Sequence, residues 1–118
     1  MASRDSLSDL TQSLREFAAD REWDQFHTPV HLSAALSIEA AELQEHFLWN
    51  TTDEAINLPE DRKKKVSEEI GDVLLYLIRL ADKLGIDPVE AAKGKLQINA
   101  AKYPVDKARG NHKKYTEF

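Results

Sequence analysis

Between positions 66 and 84, apolar side chains recur at Val66, Ile70, Val73, Leu77, Leu80 and Leu84, in steps of four and three. That spacing keeps one stripe of a helix against a packing surface; a strand, whose side chains alternate with period two, cannot use it. A similar period places Leu7, Leu10, Leu14, Phe17 and Ala18 on one stripe, and Leu32, Leu36, Leu43 and Phe47 on another. No strand-like alternation flanked by turn residues occurs, and the four prolines, with Gly85 and Gly110, fall at the edges of or between the helical segments. The expected fold is all-α, of four-helix-bundle type. A chain of 118 residues is one domain's worth, so residues 1–118 are expected to form one domain, with 104–118 as a polar, basic tail.

Local signals set the expected boundaries. The first helix runs over about Ser6 to Glu22, and Trp23 to His31 is a loop in which Pro29 and the residue before it break the helix. The second helix runs over about Val30 to Trp49, and Asn50 to Leu58 is a polar connection. The third begins near Pro59, a residue suited to a first turn, and ends at Gly85, a C′ glycine. Asp87 and Pro88 read as N-cap and N1 of a fourth helix reaching about Tyr103. The third helix also carries Leu74, Leu75, Ile78 and Ala81 off its main stripe. One small domain struggles to cover so much apolar surface, which predicts a homo-oligomer.

Composition narrows the chemistry. The longest apolar run, Val73 to Leu80, is interrupted by Arg79 and is far shorter than the roughly 20 residues of a membrane span. The N-terminal MASRDSLSDL lacks the apolar core of a secretory signal, so a cytoplasmic location is expected. With no cysteine, any metal must be held by oxygen or imidazole. A net charge of −5 argues against a nucleic-acid polymer as partner, since the backbone demands a basic patch. A small anionic ligand stays possible if a cation bridges it to the protein.

Two acidic pairs stand out. Glu39 and Glu42 lie at and beside the edge of the second helix's apolar stripe, and Glu69, Asp72 and Tyr76 form a column flanking the third helix's stripe. Each pair has i, i+3 spacing, and the second helix has no lysine or arginine from Val30 through Trp49 to neutralise its acids. Glu68, by contrast, has Lys64 one turn before it and reads as a solvated ion pair. Carboxylates at the edge of a core are paired, protonated or bound to metal. Four facing carboxylates would make a hard oxygen cage suited to Mg²⁺ or Mn²⁺, with metal-assisted attack on a phosphoryl group as its chemistry. Acidic pairs on solvated helix faces are also common, and spacing alone leaves both readings open. A di-iron site would want Glu-x-x-His, whereas His46 lies four residues from Glu42. His27 and His31 flank Pro29 without an H-E-x-x-H pattern, and no glycine-rich phosphate loop is present. Trp23, Phe26, Trp49 and Tyr76 lie near the carboxylate segments, either as packing residues or as a stacking pocket for a planar base.

Glu39-Ala40-Ala41-Glu42, 26 intervening residues, then Glu69-Ile70-Gly71-Asp72 matches an E-x-x-E, spacer, E-x-x-D signature. Together with FAADREWDQFHTPVHL, EEIGDVLLYLIRLA and KLQINAAKYPVDKARGNHKKYTEF, it resembles the MazG-like, all-α nucleoside triphosphate pyrophosphohydrolases, and within them the dCTP pyrophosphatase branch. The resemblance implies Mg²⁺ held by Glu39, Glu42, Glu69 and Asp72, with Mn²⁺ as a possible substitute. It also implies cleavage of a nucleoside triphosphate to monophosphate and pyrophosphate, with Glu39 or Glu42 acting on the attacking water. It further implies a base pocket involving Trp23, His27, Trp49 and Tyr76, triphosphate contacts from Asn99 and Lys102, and a tetramer, with a dimer as the lesser assembly. The expected substrate is dCTP or a modified pyrimidine deoxynucleotide. The alternatives are dUTP, an oxidised nucleotide, or a non-catalytic helical nucleotide-binding oligomer. Two departures from the family pattern are a short linker at Asn50 to Leu58 and Gly71 where a serine often stands; the linker bears on how the pocket closes.

Overall fold

A computed structural model describes residues 6–118, and among them every regular element is helical. The helices are α1 (Ser6–Asp20), α2 (Pro29–Glu45), α3 (Thr52–Ile56), α4 (Glu60–Lys83), α5 (Pro88–Lys102) and α6 (Val105–Ala108). Short 3₁₀ turns lie at Asp24–Phe26 and Tyr115–Glu117. The chain forms two compact units, one ending at Gly85 and the other beginning at Ile86.

In the first unit α4 packs mainly along α2 and more lightly against α1. Its buried apolar residues are Ala18 of α1, Leu32 of α2, and Val66, Ile78 and Ala81 of α4. Full burial of a Leu32 or Ile78 side chain stabilises the fold by about 1.5–3 kcal/mol. This corrects the expected packing stripe. Val66 is buried as expected, but Ile70 and Leu77 are 53% and 44% exposed and Leu84 is exposed too. Ile78 and Ala81, off the stripe, are the buried ones, because α1 and α2 approach α4 on other flanks and leave much of the heptad stripe bare.

Backbone chemistry explains the boundary corrections. Pro29 does not break a helix; it opens α2 at N1, where its missing N–H costs nothing, and the Thr28 hydroxyl accepts from the His31 N–H at 3.3 Å. The first helix stops at Asp20, short of the expected Glu22. Glu22 takes a left-handed φ of 55°, and the Trp23 N–H bonds back to the Ala18 carbonyl at 2.9 Å. The second helix stops at Glu45, and residues 46–49 continue as turns that end on Trp49 at φ 71°. Here the Arg62 guanidinium of α4 donates to the His46 carbonyl, a C-terminal cap from another helix. Trp49 therefore lies beyond α2 and not at its last helical position. The polar connection holds the single turn α3, whose Thr51 hydroxyl accepts from the Glu54 N–H at 3.2 Å. At the far end of α4, Gly85 takes the left-handed φ of 66° that a C′ residue needs.

In the second unit Asp87 Oδ1 accepts from the Val89 and Glu90 N–H groups at 2.9 and 3.2 Å, and Pro88 occupies N1 of α5. The segment after α5 is more ordered than a polar tail. The Tyr103 ring meets the Tyr115 and Phe118 rings edge-on, with centroids 5.9 and 5.8 Å apart. The Lys102 ammonium sits 4.8 Å from the Tyr115 ring centroid.

Candidate active site

The pairing of α2 with α4 brings the two acidic motifs together. One carboxylate oxygen from each of Glu39, Glu69 and Asp72 lies within 4.8 Å of the other two. Glu39 Oε2 and Glu69 Oε2 are buried without a hydrogen-bond partner, and among the described residues none of these three, nor Glu42, forms an ion pair. Burial, and after it the adjoining carboxylates of Glu42, Glu69 and Asp72, pushes the Glu39 pKa up to about 7. Unpartnered buried carboxylate oxygens are costly, and a bound cation would relieve that cost. Ligands on opposite sides of a small hard cation sit about 4.2 Å apart, twice a metal–oxygen distance of about 2.1 Å. Oxygens all within 4.8 Å of one another need only small side-chain adjustments to reach a common ion, so these residues fit a divalent metal.

Glu42 stands differently from its three companions. It acts on Glu39 but contributes no oxygen to the close trio. It lines an adjoining open groove of about 440 Å³ with Glu45, His46, Arg62, Lys65 and Glu69. The groove is therefore acidic at the metal-fit cluster and basic at Arg62 and Lys65.

On the other side of Asp72, a cavity of about 180 Å³ is lined by Leu14, Phe17, Trp23, His27, Asp72, Leu75, Tyr76 and Arg79. Three of the four expected base-pocket residues, Trp23, His27 and Tyr76, thus share one cavity with a carboxylate of the trio. Trp23 is edge-on to Phe17 at 5.7 Å and to His27 at 6.3 Å. Trp49 does not line the cavity and is 91% exposed. Asn99 and Lys102 lie on α5 in the second unit.

A charged network behind the cavity went unread in the sequence. Arg79, only 5% exposed, donates from Nε to His27 Nδ1 at 3.1 Å and from Nη2 to Asp24 Oδ1 at 2.5 Å. Its Nη1 reaches Asp82 at 3.5 Å. Lys83 also bonds Asp24 at 2.8 Å, and Arg15 of α1 holds both Asp82 oxygens at 2.6 and 2.8 Å. Lys83 and then Arg79 hold the Asp24 carboxyl below its ordinary range, and Arg15 does the same for Asp82. The signal available in the sequence was Arg79 itself, a charge inside the longest apolar run.

The MazG-like family model matches residues 34–118. Among similar proteins, dCTP pyrophosphatase 1 of Homo sapiens is 41% identical over 116 residues, covering 96% of this chain and 68% of the human protein. Its counterpart in Bos taurus is 38% identical over 120 residues, covering 99% of this chain and 70% of its own length. The crystal structure of a pyrophosphatase from Archaeoglobus fulgidus is similar with a TM-score of 0.82 and 44% identity, over 88% of this chain and 97% of that one. With the family model spanning both acidic motifs and these relatives matching nearly the whole of this chain, the chain belongs to the MazG-like family.

Proposed function

We propose that this protein is a Mg²⁺-dependent nucleoside triphosphate pyrophosphohydrolase that converts dCTP, or a modified pyrimidine deoxynucleotide, to the monophosphate and pyrophosphate. The observation that carries this reading is the convergence of Glu39, Glu69 and Asp72, with a buried oxygen on Glu39 and another on Glu69 that lack partners. The substrate follows from the names of the relatives, dCTP pyrophosphatases of mammals. An all-oxygen donor set favours Mg²⁺, with Mn²⁺ as a substitute. The bound ion would neutralise the triphosphate and the charge developing on the pyrophosphate leaving group.

The chain's own residues divide the remaining work. Glu39, Glu69 and Asp72 hold the metal, and Glu42, at the rim of the groove, completes the ligand set. Glu39 or Glu42 orients the water that attacks the α-phosphorus. Trp23, His27 and Tyr76 receive the base beside Asp72. Trp49, Asn99 and Lys102 contribute to substrate binding in the assembled enzyme, Lys102 through the triphosphate. The exposed Ile70, Leu74, Leu77 and Leu84 of α4 support assembly into a homo-oligomer, a tetramer. Among the described residues no helix is long and apolar enough to cross a membrane. Work on the free nucleotide pool supports a cytoplasmic location.

The test is a panel of nucleoside triphosphates incubated with Mg²⁺, with pyrophosphate and monophosphate measured separately. Pyrophosphate release fastest from dCTP supports the reading. Orthophosphate as the first product, or no turnover of any nucleotide, overturns it. Light scattering at micromolar concentration measures the assembly.

A further inference from the structure

We propose that Arg79 is a positioning residue for base recognition: it holds His27 as a neutral imidazole with its proton on Nε2, so that the cavity beside Asp72 offers a hydrogen-bond donor to an acceptor on the base edge. This rests on the reading of that cavity as the base site of a pyrophosphohydrolase.

The argument begins with what a guanidinium cannot do. Arginine carries N–H groups on all three nitrogens and has no acceptor, so Arg79 Nε, 3.1 Å from His27 Nδ1, can only donate. Nδ1 must then present its lone pair, and a proton on the ring must sit on Nε2. Protonating Nδ1 would set two N–H groups against each other beside a fixed positive charge.

The surroundings favour the neutral ring. Its pKa is pushed below the ordinary histidine value, first by burial and then by the Arg79 charge; Lys83 of α4 adds to this, and Asp24 of the 3₁₀ turn opposes it. Asp72 of α4 lines the same cavity, and Asp82 faces the arrangement through its contact with Arg79.

Arg79 is itself held from several directions. Asp24 and Asp82 take its other two nitrogens, and Arg15 of α1 anchors Asp82 in turn. A buried guanidinium usually turns to carboxylates with every nitrogen it can. Here Nε is given to an imidazole on the wall of the cavity, which ties ring orientation and proton position to the network behind it. The base edge that fits is one presenting a carbonyl oxygen or an unprotonated ring nitrogen towards His27, as the C2 carbonyl and N3 of cytosine do.

Three full-length proteins decide the matter: the wild type, Arg79→Met and Arg79→Lys. The imidazole ¹⁵N shifts of His27 are followed from pH 5.5 to 8.5, and kcat and KM for dCTP with Mg²⁺ are measured over the same range. In the wild type His27 is expected to remain neutral with Nε2–H at pH 7 and below. In R79M, His27 should titrate at a higher pH than in the wild type, since burial still holds it down but the Arg79 charge is gone, with KM raised about tenfold and kcat within about twofold. R79K keeps a cation beside the ring, so it should hold His27 neutral to lower pH than R79M and recover part of the KM. If R79M does not fold, R79K alone carries the comparison, with a KM above wild type and His27 still neutral at pH 7. A wild-type His27 that is charged, or carries its proton on Nδ1, at pH 7 overturns the proposal. So does a variant that lowers kcat and raises KM together while the His27 titration is unmoved, the pattern of a merely structural arginine. Absence of pyrophosphate release from the wild type overturns the proposed function instead, while the imidazole shifts still report the state of His27.

Discussion

The long helix α4 carries two acid clusters that its neighbours treat in opposite ways. Towards its N-terminal half, Glu69 and Asp72 meet Glu39 of α2 with no cation in the group, and the Glu39 pKa rises. Towards its C-terminal half, Asp82 and the nearby Asp24 are gripped by Arg15, Arg79 and Lys83, and both carboxyl pKa values fall. An acid cluster with cations of its own needs nothing further. One without them is a site awaiting charge, which is why the first cluster and not the second is the candidate metal centre.

The largest effect should come from removing a member of the uncompensated cluster. Glu39→Gln, Glu69→Gln or Asp72→Asn should lower pyrophosphate release by at least about a hundredfold while circular dichroism shows an unchanged helical fold. A variant within a few-fold of wild type would break the comparison at its root.

Next comes pH. For Glu39 the folded pKa, about 7, lies above the ordinary 4.5, so the folded state binds the extra proton in this window. Metal-free stability should therefore fall as pH rises from about 4.5 to 7. Asp24 and Asp82 have depressed pKa values, so their contribution is complete above the ordinary aspartate value of about 4 and is lost as pH falls below it. The metal-free protein should be most stable near pH 4–5. Saturating Mg²⁺ should raise Tm by several degrees at pH 8 and by less at pH 5.5. Glu39→Gln should flatten the neutral limb and leave the acid limb in place. Equal Mg²⁺ shifts at both pH values would sink the assignment of that limb to the cluster.

A smaller effect is expected at the compensated cluster. Asp82→Asn leaves Arg79 with Asp24 and His27 but frees Arg15, and should cost about 1–2 kcal/mol in chemical denaturation. At pH 7.5 it should change kcat by less than about twofold, since no reacting atom is near it.

Legibility in the sequence follows the range of the interactions. The Asp87–Pro88 start of α5, the left-handed Gly85 and the two acidic motifs were readable because each depends on residues within one or two turns. Arg79 with Asp24 and His27 was not, because its partners are more than 50 positions away and come from a loop whose path depends on the packing of α1. The heptad stripe of α4 was read correctly as a pattern and wrongly as this unit's core, since periodicity fixes a face but not which neighbour covers it. Glu42 shares the i, i+3 spacing of its companions, yet the close trio forms without it, an offset set by how α2 lies on α4.

Trp49 offers the finest test of the contrast between relieved and unrelieved cost. A bulky residue at φ 71° stores about 1–2 kcal/mol of backbone strain, and at 91% exposure its ring gains little within this chain. Trp49→Gly removes the strain but adds flexibility to the unfolded chain, about 0.4–1 kcal/mol in the opposite sense. The net change in folding stability should be stabilising and below about 1 kcal/mol, read from denaturant midpoints. If the ring meets the base in the assembled enzyme, KM for dCTP should rise severalfold in the same variant while stability does not fall. An unchanged KM would remove Trp49 from the substrate-binding set, leaving the cavity of Trp23, His27 and Tyr76 to recognise the base alone.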